Sequence, residues 1–378
     1  MMTWRDGVVR STGRRWPGAV ELEVEVSEPV GEAGRLVRAL AYPELVGDPG
    51  VGTRVLLATG ALARGLGTGG YAFVVACPDD LPSDPPIRPG HLVKARYTPM
   101  QALVLGADEQ EARSHALLAD ADDLGALPVV VADLHSALPA IVAGARHEAL
   151  RAGLRPPRVA YVMTDGGALP AWFSRTVASL REQEWLAATI TVGQAFGGDL
   201  EAVTVHSGLL AARLVVGADL VVVAQGPGNL GTGTRWGFSG VSAGEAINAA
   251  GVLGGRPVAS LRVSGTDPRE RHRGVSHHSL TAYGRVAMHP CDVAVPELVG
   301  PLAALGDLVQ QHASELAARH RLVPVGTDGL HEALAGAPVR LSTMGRGLEE
   351  DPGAFLAAAV AGVHATRLMA GDQRGEPA

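Results

Sequence analysis

Over the first ninety residues apolar and polar side chains alternate in short runs, at 7–10, 20–26, 36–41, 54–57 and 71–76, with glycine, proline and aspartate turns between them. A period of two marks half-buried strands, and five such runs without helical periodicity predict a small β-barrel or sandwich. The glycine-dense stretch 60–71, GALARGLGTGGY, has neither a P-loop lysine nor a helical pattern after it. It reads as a tight corner ahead of a strand rather than as a phosphate cradle. Residues 78–89, rich in proline and aspartate, read as a linker.

From residue 91 the rhythm changes to apolar runs alternating with Ala/Leu-rich helical stretches. Strands are expected at 102–105, 129–132, 159–163, 188–192, 220–224, 258–263, 293–295, 322–325 and 339–341. Helices are expected at 137–154, 200–214, 243–253, 302–320 and 352–369. Strands apolar on both faces belong to a parallel sheet covered by helices. The connecting loops differ greatly in length, which favours an α/β, doubly wound, Rossmann-like sheet; a closed (β/α)8-like barrel is the alternative. The expected organisation is a β-rich domain over 1–90, an α/β domain over 91–370 and a disordered tail over 371–378.

Composition narrows the function classes. With 47% apolar and 19% charged residues and a formal charge of −7, the chain suits a globular protein and not a general binder of nucleic acid or membrane surfaces. Two cysteines exclude a disulfide framework and a cysteine-based zinc site. The charged beginning lacks an apolar h-region and no later apolar run is unbroken enough to span a bilayer, so a cytoplasmic protein is expected. Homo-oligomerisation is left open.

Polar motifs punctuate the α/β rhythm, each just after a strand: 133–136, 164–167, 193–199, 225–234, 265–278, 326–329 and 344–347. In both candidate architectures that edge carries the ligand site. The loop QGPGNLGTGT offers Gly226, Gly228, Asn229, Gly231, Thr232, Gly233 and Thr234, which could bring backbone amides and hydroxyls to an anion. Its GxGxxG spacing is loose, and no acid stands about 20 residues on to hold a ribose, so a dinucleotide fold is not expected. A glycine-rich turn demanded by close strand–helix packing is the competing reading. Asp165 is either a helix cap or a crevice residue; Asp199 reads as an N-cap before Leu200.

The densest cluster is SGTDPRERHRGVSHHS, residues 264–279, which holds three of the 13 histidines. Three readings compete. Asp267 with His272, His277 and His278 could ligate a divalent metal, although adjacent histidines do not easily face one ion. Arg271 and Arg273, with Arg269, could clamp phosphate beside a proton-donating histidine, the favoured reading. A solvated basic loop with Ser276 capping a helix is the third. Lys94, the only lysine among 32 basic residues, stands out because a compact, deprotonatable ammonium is what arginine cannot supply.

Together GLGTGGY (65–71), KARYTPMQ (94–101), MTDGGALP (163–170), AFGGD (195–199), GPGNLGTGT (226–234), RHRGVSHHS (271–279) and TMGR (343–346) resemble the bacterial family described as domain of unknown function 3866. The resemblance implies that these segments act as one unit and adds weight to Lys94; it implies no substrate. The leading expectation is an enzyme for a small phosphorylated or otherwise anionic, perhaps nucleotide-like, metabolite. In it the glycine loop holds the anion, Arg271 and Arg273 neutralise charge, and His277 or His278 moves a proton. Asp165 binds a metal or acts as base, and Lys94 closes the site. A non-catalytic metabolite sensor or scaffold is the rival, and a Ser–His–Asp hydrolase ranks last for want of a GxSxG elbow.

Overall fold

The computed structural model describes residues 3–374, which form two compact units. The first takes the chain up to Pro89 together with Val93–Val104 and Trp172–Ala178. It contains a closed five-stranded barrel of β1 (Trp4–Trp16), β2 (Ala19–Val26), β3 (Leu36–Ala41), β4 (Arg54–Ala58) and β5 (Ala72–Ala76), in the order β1-β2-β3-β5-β4. All neighbours are antiparallel except β3 and β5. The alternation explains it: in β2, Val20, Leu22, Val24 and Val26 fill the barrel, while Glu23 and Glu25 face outward to Ser11 and Arg10. Closure removes the unpaired edges such short strands would otherwise expose.

β6 (Leu92–Lys94) and β7 (Ala102–Val104) form a two-stranded sheet of their own. The run at 102–105 is therefore a strand, but not one of the parallel sheet.

The second unit is built on an eight-stranded, wholly parallel open sheet. Its strands are β8 (Pro128–Val131), β9 (Val159–Thr164), β10 (Ala188–Thr191), β11 (Leu200–Glu201), β12 (Leu220–Gln225), β13 (Arg256–Ser260), β16 (Asp292–Glu297) and β17 (Arg321–Gly326). Between β13 and β16 the short β14 (Val263–Ser264) and β15 (Gly274–Val275) pair antiparallel. The order β11-β10-β9-β12-β8-β13-β16-β17 excludes the closed (β/α)8 alternative. β8, β9, β10 and β12 are buried along their whole length, as helices on both faces require. Helices Leu138–Arg151 and Pro352–Arg374 cross so closely that a Cβ on Gly144 would stand 2.0 Å from the Ala359 carbonyl oxygen, and one on Gly362 1.9 Å from that of Ile141.

Further expectations need correction. Residues 339–341 form no strand: they follow Pro338 in irregular chain with no neighbour to pair. The helix expected from Leu200 begins at Val205, where Thr204 supplies a capping box with Ser207, and Leu200 and Glu201 add the edge strand β11. Asp199 is accordingly no N-cap; it accepts the Thr189 amide at 2.7 Å and pairs with Arg181. At the far end the last helix runs through Arg374, so 371–374 are helical, and 375–378 of the expected tail lie outside the described residues.

Candidate functional site

Strand order decides where chemistry collects. The chain leaves β8 toward β9, β10 and β11 on one side, then returns through β12 to place β13, β16 and β17 on the other. The carboxyl ends of the three adjacent strands β12, β8 and β13 thus frame a switch point, the place where open α/β sheets bind ligands. Gln225, Asp133 and Arg262 stand at or just after those ends.

Asp133 ends a run of valines and is 3% exposed. Its Oδ2 is buried without a hydrogen-bond partner. Burial raises its pKa to about 6, against the attraction of the Arg262 guanidinium. The Asp133 carbonyl accepts from Gln225 Nε2 at 2.9 Å, and the same nitrogen donates to Asn229 Oδ1. Gln225 Oε1, like Asp133 Oδ2, is buried and unpartnered. Two neighbouring strand ends therefore hold polar oxygens whose burial costs free energy that no contact returns. A cavity of about 30 Å³, room for one or two waters, opens beside Asp133, Arg262, Asp267 and Arg346.

The segment 264–279 folds back on itself through β14 and β15. Asp267, 1% exposed, is the anchor of its turn: both carboxylate oxygens accept from the Arg269 guanidinium at 2.9 Å, and Arg346 adds a third bond at 3.2 Å. Those bonds, Arg269 first, hold its pKa well below the usual carboxylate range in spite of burial. Arg346 also reaches Asp351, which accepts from Ser264 and the Gly265 amide, so the TMGR motif is tied into the turn. Asp267 serves two arginines, and the histidines gather without it. Ser276 accepts the His278 amide and caps the short helix His277–Thr281, and this cap aims both adjacent imidazoles at one space. The ring centroids lie 4.4 Å apart for His277 and His278, and 5.0 Å from His272 to each. One ligand nitrogen from each of the three falls within 4.8 Å of the other two.

Each ring is positioned. His272 Nδ1 meets Ser276 Oγ at 2.7 Å; His278 stacks on Phe238 with centroids 3.8 Å apart and planes 2° from parallel. Arg262, which can only donate, places Nη1 3.1 Å from His278 Nδ1. His277 Nε2 is buried without a partner. Burial first, then the Arg262 charge, lowers His272 and His278 to about 3, and burial with Arg271 lowers His277. The three imidazoles are therefore neutral near pH 7.

The glycine loop is a small exposed hairpin and not a turn leading straight into a helix: Thr232 donates its amide to the Gly237 carbonyl, Gly231 bridges Phe238, and a 3-10 turn precedes helix Ser242–Val252. Gly226 is required for close packing, since a Cβ there would lie 2.5 Å from the Ala168 carbonyl oxygen; Gly228 and Gly233 have φ of +88° and +80°. Asn229 spends Oδ1 on Gln225 and Ser239. The Thr232 and Thr234 hydroxyls touch each other at 3.1 Å on the exposed rim. Arg271, also exposed, reaches this rim: its Nη2 would stand 3.7 Å from a Cβ on Gly233. Arg273 is exposed as well. Neither arginine has a carboxylate partner among the described residues.

Other expected site residues are otherwise engaged or belong to the first unit. Asp165, exposed after β9, accepts the Gln194 amide at 2.8 Å and ties two loops together. Lys94 belongs to the first unit, where it is buried at 3% exposure on β6. Sequence reasoning placed Asp133 in a motif after a strand without giving it a role, and passed over Arg262 and Phe238. A readable signal existed for Asp133, a charged residue directly after an uninterrupted apolar run; for Arg262 and Phe238 there was none.

Residues 38–362 match the family described as Protein of unknown function (DUF3866). No curated protein matches the chain.

Proposed function

Because this chain belongs to the DUF3866 family, whose description carries no activity, we propose its function from the site: an enzyme that binds a small phosphorylated or otherwise anionic metabolite at the carboxyl edge of its parallel sheet. One observation carries the reading. The glycine hairpin and the arginine–histidine segment, about forty residues apart in sequence, meet with Arg271 against Gly233 and Phe238 stacked on His278. Arg271 brings an unpaired guanidinium beside the exposed Thr232 and Thr234 hydroxyls, a donor set suited to bidentate phosphate or carboxylate binding. Behind that rim stand two groups with unspent valence, His277 through Nε2 and Asp133 through Oδ2. A pure binding site has no use for buried, unpartnered acid–base groups, and this favours turnover over sensing.

The test is a thermal-shift titration of the full chain with inorganic phosphate, sugar phosphates, nucleotides and small carboxylates, repeated on Arg271→Ala. A ligand at a hundredfold excess over Kd adds about 2.7 kcal/mol to the folded state. The expected result is a shift with one anion class that Arg271→Ala loses. Equal shifts in both proteins, or none with any anion, overturn the reading.

A further inference from the structure

We propose that His272, His277 and His278 form a binding site for a divalent transition-metal ion, and that Arg262 is the cation holding its place. The inference stands on the ring geometry and does not rest on the anion reading.

Three imidazoles from one short segment converge, with ligand nitrogens within 4.8 Å of one another. Tetrahedral zinc with nitrogens at 2.0–2.1 Å sets them about 3.3 Å apart, so modest ring rotations close the site. His277 supplies a buried nitrogen that bonds to nothing. His272 keeps Nε2 for the ion when Nδ1–H donates to Ser276 Oγ at 2.7 Å, the kind of outer contact that fixes a ligand's tautomer. His278 turns its Nδ1 lone pair to Arg262 Nη1 at 3.1 Å.

That last contact explains the surroundings. A guanidinium and a metal ion compete for one lone pair, and only one cation can hold it. When the metal takes Nδ1, Arg262 has a second anchor in Asp133, whose Oδ2 is unpartnered and whose charge already attracts it. The Asp267 carboxylate does not compete, since Arg269 and Arg346 occupy it. Three neutral imidazoles without a carboxylate select zinc, cobalt, nickel or copper over magnesium or calcium. Three protein ligands also leave a fourth position open, as in catalytic zinc sites. In this arrangement His277 is a ligand, and Asp133 holds Arg262.

The probe is Co²⁺ alone, added to chelator-treated full-length protein without phosphate and followed by its visible ligand-field absorption and by calorimetry. The expected result is one equivalent bound with a low-symmetry, four-coordinate spectrum, displaced by Zn²⁺ and untouched by excess Mg²⁺. Outer contacts to a ligand are worth about 10–100-fold in metal affinity, so losing a ligand in His277→Ala weakens binding by at least about a hundredfold. Arg262→Gln, which deletes the competing cation, tightens Co²⁺ by roughly tenfold, a gain no merely structural role predicts. The exposed His206→Ala leaves binding unchanged. Circular dichroism confirms that each variant is folded; should His277→Ala not fold, His272→Gln replaces it. Absence of Co²⁺ binding, or binding indifferent to the His and Arg262 variants, overturns the proposal. Either failure leaves the phosphate titration on Arg271→Ala untouched.

Discussion

Replacing Asp133 with asparagine should make the protein more stable at neutral pH. In the fold its pKa rises from 3.8 to about 6, a value that already includes the attraction of Arg262. A tenfold change in proton affinity is worth about 1.4 kcal/mol, so keeping this carboxylate ionised in the fold costs about 3 kcal/mol above pH 6. The sign follows from the direction. A raised folded pKa means that the protonated acid favours the fold; that stability is complete below about pH 4 and is lost as pH climbs through 6. Asparagine keeps the shape and never ionises, but its amide at the unpartnered Oδ2 position forfeits about 1 kcal/mol of hydrogen bonding. The net gain is therefore about 2 kcal/mol at pH 8, shrinking to nothing or slightly below near pH 4. Urea unfolding at pH 4.5, 6 and 8, read on the transition of the parallel-sheet unit, measures it. A pH-independent difference, or destabilisation at pH 8, refutes the assignment of Asp133 as a buried charge held without compensation.

Four further outcomes follow from the same structure. Asp292, where bonds from His364 and Arg321 outweigh burial and lower the pKa to about 2, contributes stability above pH 4 that disappears as pH falls toward 2; Asp292→Asn should remove about 2 kcal/mol of acid dependence in a pH series of melts. Gly144→Ala drives a Cβ into the Ala359 carbonyl and should cost about 3 kcal/mol or more by chemical denaturation. Phe238→Ala removes the plate on which His278 rests and should weaken Co²⁺ binding while leaving the barrel's unfolding unchanged. Ser276→Ala loses a helix cap and the His272 contact together, and a loss of about 1 kcal/mol in stability with weaker Co²⁺ binding is expected.

Periodicity carried much of this architecture on its surface. The five barrel strands fall where apolar and polar residues alternate, and most of the long parallel strands fall in the mostly apolar runs between helices, the edge strand β11 excepted. What local patterns do not encode is which strand lies beside which. Asp133, Gln225 and Arg262 look unrelated in sequence, and only the insertion of β12 between β9 and β8 makes them neighbours. The cluster at 264–279 was legible as a concentration of charge, but the division of labour inside it was not. Asp267 is set apart by its bond from Arg346, and Ser264 and Gly265 by theirs to Asp351, partners some eighty residues away. Asn229 and Gly226 show the converse, residues whose chemistry suggests a ligand and whose contacts in the structure are to the loop and its neighbours.

The position of β8 has a consequence for how the chain is made. β8 emerges first among the eight parallel strands, yet both of its neighbours, β12 and β13, are synthesised some ninety to one hundred and thirty residues later. On the ribosome β9, β10 and β11 can pair as they appear, while β8 has no native edge to join until residue 220 has been added. Parallel pairings of such long sequence separation form slowly. The valines of β8 and helix Leu138–Arg151 must therefore wait exposed, and that helix meets its closest partner only when Pro352–Arg374, the last helix of all, arrives. The centre of the sheet, and with it the carboxyl edge that holds Asp133, is completed late in synthesis. A nascent chain halted before residue 220 holds the valine run 129–131 without either of its native neighbours, the kind of unpaired apolar strand that favours aggregation.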